Sequence, residues 1–131
     1  MENNYQAAFD ELVKVVYELR EKCPWDSVQT HESLGVCLQN ETEEVLEGID
    51  ALSREGSGDN LCEELGDVLM LVILQSIIAQ EEGLFTLEDV IFGISSKMKY
   101  RHPKIFSPGD EAAASLSWEE LKKREKQLRR K

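Results

Sequence analysis

The sequence predicts an all-α protein, an antiparallel bundle of about five helices, and three observations carry that expectation. Apolar residues recur at helical spacing along most of the chain, as in Phe9, Leu12, Val13, Val16 and Leu19. No stretch alternates apolar and polar residues as a half-buried strand would. Breakers at Cys23-Pro24-Trp25, at 56–60 (GSGDN) and around Pro103 cut the chain into helix-sized pieces.

The first helix is expected from about Asn4 to Glu21 and ends before Pro24, because proline disfavours helix in the residue ahead of it. Asp26 with Gln29 resembles a capping box and opens a second helix to about Leu52. Asn60 and Glu63 cap a third, to about Gln80. Thr86 and Asp89 cap a fourth, which stops before Pro103. Residues 103–116 read as a loop, and Ser117 with Glu120 caps a fifth, basic helix over 117–131. With a helical core over about 4–102, residues 1–131 are expected to form a single domain, since this length encloses one core. The third helix is apolar nearly all round from Val68 to Ile78, which implies burial from two sides. A second subunit, in a homodimer or homotetramer, is the expected cover; a central place in a monomeric bundle is the alternative.

Hydrophobic residues make up 41% and charged residues 31%, a globular composition. The first residues lack the basic-then-apolar pattern of a secretory signal, and the apolar run 68–79 is too short to span a bilayer. Cys23, Cys37 and Cys62 are widely spaced and odd in number, which fits free thiols in a cytoplasmic protein with no membrane contact. The net charge of −11 hides an asymmetry. Residues 1–96 hold 4 Lys/Arg against 21 Asp/Glu, and residues 97–131 hold 11 against 5. The acidic part repels a nucleic-acid backbone, so no nucleic-acid partner is expected. A small anion between a metal-loaded acidic site and a basic tail suits this pattern better.

Two acidic pairs stand out. Glu41 and Glu44 are three apart, as are Glu64 and Asp67, so each pair shares a helix face. Both pairs sit at or beside apolar stripes: Leu34, Leu38, Val45 and Ile49 in one helix, Leu61, Val68 and Leu71 in the other. If the second and third helices form an antiparallel hairpin about the 56–60 turn, Glu41 lies level with Asp67 and Glu44 with Glu64. Four carboxylates then converge at one height. Such a cluster needs protons or cations, and oxygen ligands without cysteine or histidine point to Mg²⁺, with Mn²⁺ as a possible substitute. A single acidic helix residue is most often plain solvated surface; two matched pairs on apolar faces favour the metal.

CPWDSVQTHESL (23–34), NETEEVLEGI (40–49), EELGDVLMLV (63–72) and SKMKYRHPKIF (96–106) together resemble the MazG nucleotide pyrophosphohydrolases, an all-α family, over residues 5 to about 125. The family's EExxE and ExxD motifs supply its Mg²⁺ ligands, and they fall here on Glu41, Glu44, Glu64 and Asp67. Asn40 stands where the first glutamate of EExxE is expected. The resemblance implies Mg²⁺-dependent hydrolysis of an NTP or dNTP to monophosphate and pyrophosphate, a house-cleaning activity on nucleotide pools, with Glu44 or Glu41 as the general base. It also implies that Lys97 and Arg101, four apart in the KxxxRHP element, hold the β- and γ-phosphates, and that Trp118 and Lys122 contact nucleotide. Trp25 and His31 are further base-pocket candidates. Each of these residues also has a plain structural reading, as surface lysine, helix staple or helix-start residue. A narrower dUTP/dCTP-type pyrophosphatase and a catalytically degenerate nucleotide-binding or interaction domain remain the alternatives.

Overall fold

The computed structural model describes residues 4–129. Among them seven α-helices follow one another, with no strand. They are α1 (Tyr5–Lys22), α2 (His31–Glu55), α3 (Asp59–Glu81), α4 (Leu87–Arg101), α5 (Pro103–Phe106), α6 (Glu111–Ala114) and α7 (Trp118–Arg129), with a 3-10 turn at Asp26–Val28. The all-α expectation holds. The chain divides into two compact units, one up to Leu87 and the other from Glu88 onward. Among the described residues, no helix is long and apolar enough to cross a membrane.

Two helix starts differ from expectation. Asp26 and Gln29 do not open α2. Asp26 sits in the 3-10 turn and is buried, and α2 starts at His31. Its capping box is Thr30 with Ser33: Ser33 N donates to Thr30 Oγ1 at 3.1 Å, and Thr30 N donates to Ser33 Oγ at 2.9 Å. Serine at the third position does the work usual for Glu or Gln, which is why the pattern passed unnoticed. Helix α3 likewise starts at Asp59 behind Gly58, one residue ahead of the expected Asn60 cap, with no side-chain cap bond. The α2 end is as the turn implies, with Gly56 in the left-handed region at φ 75°.

The core of the first unit contains Val16, Leu34, Leu71, Ile73, Leu74, Ile77, Ile78 and Leu87, with Phe9, Leu12 and Val13 of α1 packed against it. The apolar second half of α3 supplies most of it. Leu65, Leu69 and Val72 on the same helix stay exposed in the single chain. Arg20 ties the layers together. Its Nη1 donates to the carbonyls of Asp26 and Gln29 at 2.7 and 2.9 Å, while Nε and Nη2 reach Glu81 at 3.0 and 2.8 Å.

In the second unit, segment 103–116 is not a plain loop, since it holds the single-turn helices α5 and α6. Pro103 occupies the first turn of α5, where its missing N–H costs nothing. Asp110 caps α6 by accepting from Ala113 N at 3.0 Å. The expected Ser117–Glu120 box is present, with reciprocal bonds of 3.2 Å opening α7.

Helices α2 and α3 approach closely at Gly48. A Cβ built there would lie 3.0 Å from Leu61 Cα and 3.1 Å from Leu61 N, both rigid backbone atoms. Gly48→Ala should therefore destabilise by about 1–3 kcal/mol, overriding alanine's better helix propensity. At Gly35 nothing lies within 4 Å of the same Cβ. Gly35→Ala should stabilise by up to about 1 kcal/mol. Chemical denaturation of both variants checks the pair, and equal effects would refute the close approach.

Candidate active site

The close crossing sets the register of the α2–α3 hairpin, and the register sets the acids. Glu41 and Glu44 on α2 meet Glu64 and Asp67 on α3, and one carboxylate oxygen from each lies within 4.8 Å of the others. Glu44 is the exposed member; the other three are half-buried. Glu41 Oε2 and Glu64 Oε2 are buried without a hydrogen-bond partner. Carboxylates facing one another accept but cannot donate unless one is protonated. That strain appears in their protonation. Contact with the Glu44 carboxylate, then burial, pushes Glu64 up to about 8. Burial, followed by the charges of Asp67 and Glu44, holds Glu41 above the usual carboxylate range, although Glu64 pulls the other way. An all-oxygen set with two orphaned buried oxygens fits a hard divalent cation such as Mg²⁺.

Two further candidates lie in the first unit. His31, the first residue of α2, is ten residues from Glu41, about 15 Å along the helix axis. Its Nδ1 pairs with Gln75 Oε1, its Nε2 lies 3.3 Å from Glu82 Oε2, and Gln75 Nε2 donates to the His31 carbonyl at 3.2 Å. Both ring nitrogens thus face the α3 side of the hairpin, one toward Gln75 within the helix and the other toward Glu82 at its C-cap. Trp25 precedes the 3-10 turn and is half exposed, and its carbonyl accepts from Gln29 Nε2 at 3.0 Å.

In the second unit Arg101 and Trp118 come together, with the guanidinium carbon 5.6 Å from the Trp118 ring centroid. The His102 ring lies 5.3 Å from Trp118 on the other count, centroid to centroid. A cavity of about 340 Å³ opens beside Arg101, His102 and Trp118. Lys97 lines a separate hollow with Tyr100 and Arg129, and Lys122 is half-buried on α7. Arg101 is only 7% exposed and is paired to Glu125 at 2.9 Å.

Sequence reasoning missed Glu125, and also Gln75 and Glu82 as partners of His31. The available signal for Glu125 was its place four residues after Leu121 on the apolar stripe of a very polar helix. An acid at an interior position implies a cation opposite.

Residues 29–106 match the family described as the MazG nucleotide pyrophosphohydrolase domain. The chain is 46% identical over 121 residues to a Thermotoga maritima protein named nucleoside triphosphate pyrophosphohydrolase/pyrophosphatase MazG, covering 90% of this chain and 45% of that protein. It is 38% identical over 125 residues to the Escherichia coli (strain K12) nucleoside triphosphate pyrophosphohydrolase, covering 89% of this chain and 45% of that one. The chain thus spans under half the length of these relatives. A crystal structure of a mazG-related protein from Thermotoga maritima superposes with a TM-score of 0.69 at 31% identity, covering 87% of this chain and 98% of that chain. A paired-carboxylate hairpin, a family match across most of the helical region and a structural relative covered nearly end to end converge, and the chain belongs to the MazG nucleotide pyrophosphohydrolase domain family.

Proposed function

We propose that this chain hydrolyses nucleoside triphosphates, ribo- or deoxyribo-, between the α- and β-phosphates, giving nucleoside monophosphate and pyrophosphate in a Mg²⁺-dependent reaction. The observation that carries the reading is the convergence of Glu41, Glu44, Glu64 and Asp67 within 4.8 Å, with two buried oxygens lacking a donor. The four carboxylates hold the cation. When bound, Mg²⁺ supplies neutralisation of phosphate oxygens and a lowered pKa for water. Glu44, the exposed carboxylate, accepts the proton of the attacking water, with Glu41 as the other candidate base. Arg101 and Lys97 bind the β- and γ-phosphates and stabilise the charge of the leaving pyrophosphate. Trp118 and Lys122 contact the nucleotide, with Trp25 and His31 as further candidates at the base. The two units act as one domain, a reading supported by a family match that runs across their boundary. The cellular role is cytoplasmic house-cleaning of nucleotide pools.

Incubation with an NTP and dNTP panel plus Mg²⁺ in ¹⁸O-water tests the reaction. Labelled monophosphate and unlabelled pyrophosphate are expected, and Glu44→Ala should lower kcat by roughly 10²–10⁴-fold. Diphosphate and orthophosphate as products would sink the assignment. Turnover confined to dUTP or dCTP would select the narrower pyrophosphatase. Asn40, in place of the first family glutamate, favours a second reading, nucleotide binding without turnover. Saturable binding with no product would establish it.

The raised Glu64 gives a pH test. A carboxyl raised in the folded chain binds a proton that the unfolded chain has already released. Its contribution to stability is present below the unfolded value of 4.5 and is lost as pH climbs to about 8. The metal-free protein should lose melting temperature over that window. Added Mg²⁺ should raise it more at pH 8 than at pH 6, and a response independent of pH counts against the carboxylate site.

The exposed Leu65, Leu69 and Val72, four and three residues apart on α3, support association of two copies as a homodimer or within a homotetramer. Sedimentation should give a dimer or larger species for the native chain and a smaller one for Leu69→Glu. A native monomer would end that reading.

A further inference from the structure

Glu125 is a buried carboxylate with no part in the reaction proposed above. It lies on α7 and is 4% exposed. Its two oxygens take two guanidinium groups. Arg101 Nη2 donates to Oε1 at 2.9 Å, and Arg129 Nε meets Oε2 from one turn further along α7. Burial works against the charge on Glu125, yet the two arginines outweigh it and hold the carboxyl below the usual range, so it stays ionised. Stability alone explains such a group poorly, because apolar residues commonly replace a buried ion pair without loss.

The arrangement around Arg101 suggests a different use. Its guanidinium is held by Glu125 on one edge, and its carbon stands 5.6 Å from the Trp118 ring centroid. Arg101 Nε is buried with no hydrogen-bond partner, so the ion pair with Glu125 does not by itself satisfy the guanidinium. The cavity of about 340 Å³ gives a ligand access to Arg101 and Trp118. Two guanidinium groups share one carboxylate, so the cluster keeps a net positive charge. A guanidinium fixed before the ligand arrives binds phosphate without first losing side-chain freedom.

We infer that Glu125 is a positioning residue for Arg101, fixing its guanidinium against Trp118 at the edge of the cavity, in place for the phosphates of the nucleotide. The inference rests on the phosphate-binding role proposed for Arg101. Four proteins test it: native, Arg101→Ala, Glu125→Gln and the double variant. Each is assayed for kcat and KM, for affinity to inorganic pyrophosphate by calorimetry, and for melting temperature.

Glutamine keeps the shape of Glu125 and removes its charge. Glu125→Gln should lower kcat/KM roughly 10- to 100-fold, as small misplacements of a binding group do. Pyrophosphate affinity should fall in parallel. The double variant should be no worse than Arg101→Ala alone, because Glu125 acts through Arg101. If Glu125→Gln does not fold, Glu125→Asp, charged but too short to reach, should show the same loss. A purely structural Glu125 would lower melting temperature, leave kcat/KM per folded molecule unchanged, and overturn the inference. Native kcat/KM in Arg101→Ala would remove the phosphate role and the inference together. Loss in Arg101→Ala with none in Glu125→Gln would remove the inference alone and leave the proposed function standing. If the native chain turns nothing over, equal pyrophosphate affinity across the four proteins overturns the inference as well.

Discussion

Contact between Gly48 and the backbone of Leu61 sets the height at which every other residue of α2 faces α3. In an antiparallel pair, each step back along α2 is a step forward along α3. From a crossing at 48 and 61, the turn holding Glu44 and Glu41 therefore faces the turn holding Glu64 and Asp67. About 25 Å of helix, from Gly48 back to His31, would not hold that register from one point. A second clamp closes the other end, where His31 and Gln75 pair through side chain and backbone. The four acids lie between the two clamps on both helices. They are held together by their neighbours and against their own repulsion, which is the preorganisation that the proposed cation site requires.

The burial pattern of α3 explains how a small chain sustains this. Its second half, from Leu71 to Ala79, is the most buried stretch of the first unit and anchors the hairpin in apolar packing. Its first half carries Glu63, Glu64 and Asp67 and adds almost nothing to that core. Arg20 secures the far end through Glu81, whose carboxyl it holds below the usual range. The apolar half supplies the core and the polar half carries the acids, with Gly48 and His31 marking the limits of the acidic segment on α2. A like-charge cluster is tolerable only beside so rigid a support.

The hairpin was legible in the sequence because its evidence is periodic and local. Acids three apart on apolar stripes, with a glycine-rich turn midway, leave few alternatives to the geometry found. The start of α2 was not legible, since Thr30-x-x-Ser33 lacks the usual Glu or Gln and Asp26 with Gln29 offers a better decoy. Burial of Asp26 beneath Arg20 is a tertiary event that overrides a local pattern. His31 shows the same limit: its partners Gln75 and Glu82 lie 44 and 51 residues on, and only the folded hairpin brings them near. The RHP element singles out Arg101, to which the proposed function gives a phosphate-binding role. Its partner Glu125 lies 24 residues away, beyond α5 and α6, where no periodicity links the two.

A half-buried glutamate in the first unit and a buried one in the second differ in protonation, and the difference separates two kinds of use. Glu64 faces other carboxylates, has a buried oxygen without a donor, and is pushed up to about 8. Glu125 faces two guanidinium groups and is held below the usual range. Burial alone drives both upward, so the opposite signs come from the neighbours. A glutamate raised by its own kind is short of positive charge and is suited to bind a cation. A glutamate lowered by arginines has its cations already, and what it contributes is where they stand. In the function proposed above, the first kind gathers a metal and the second aims an arginine.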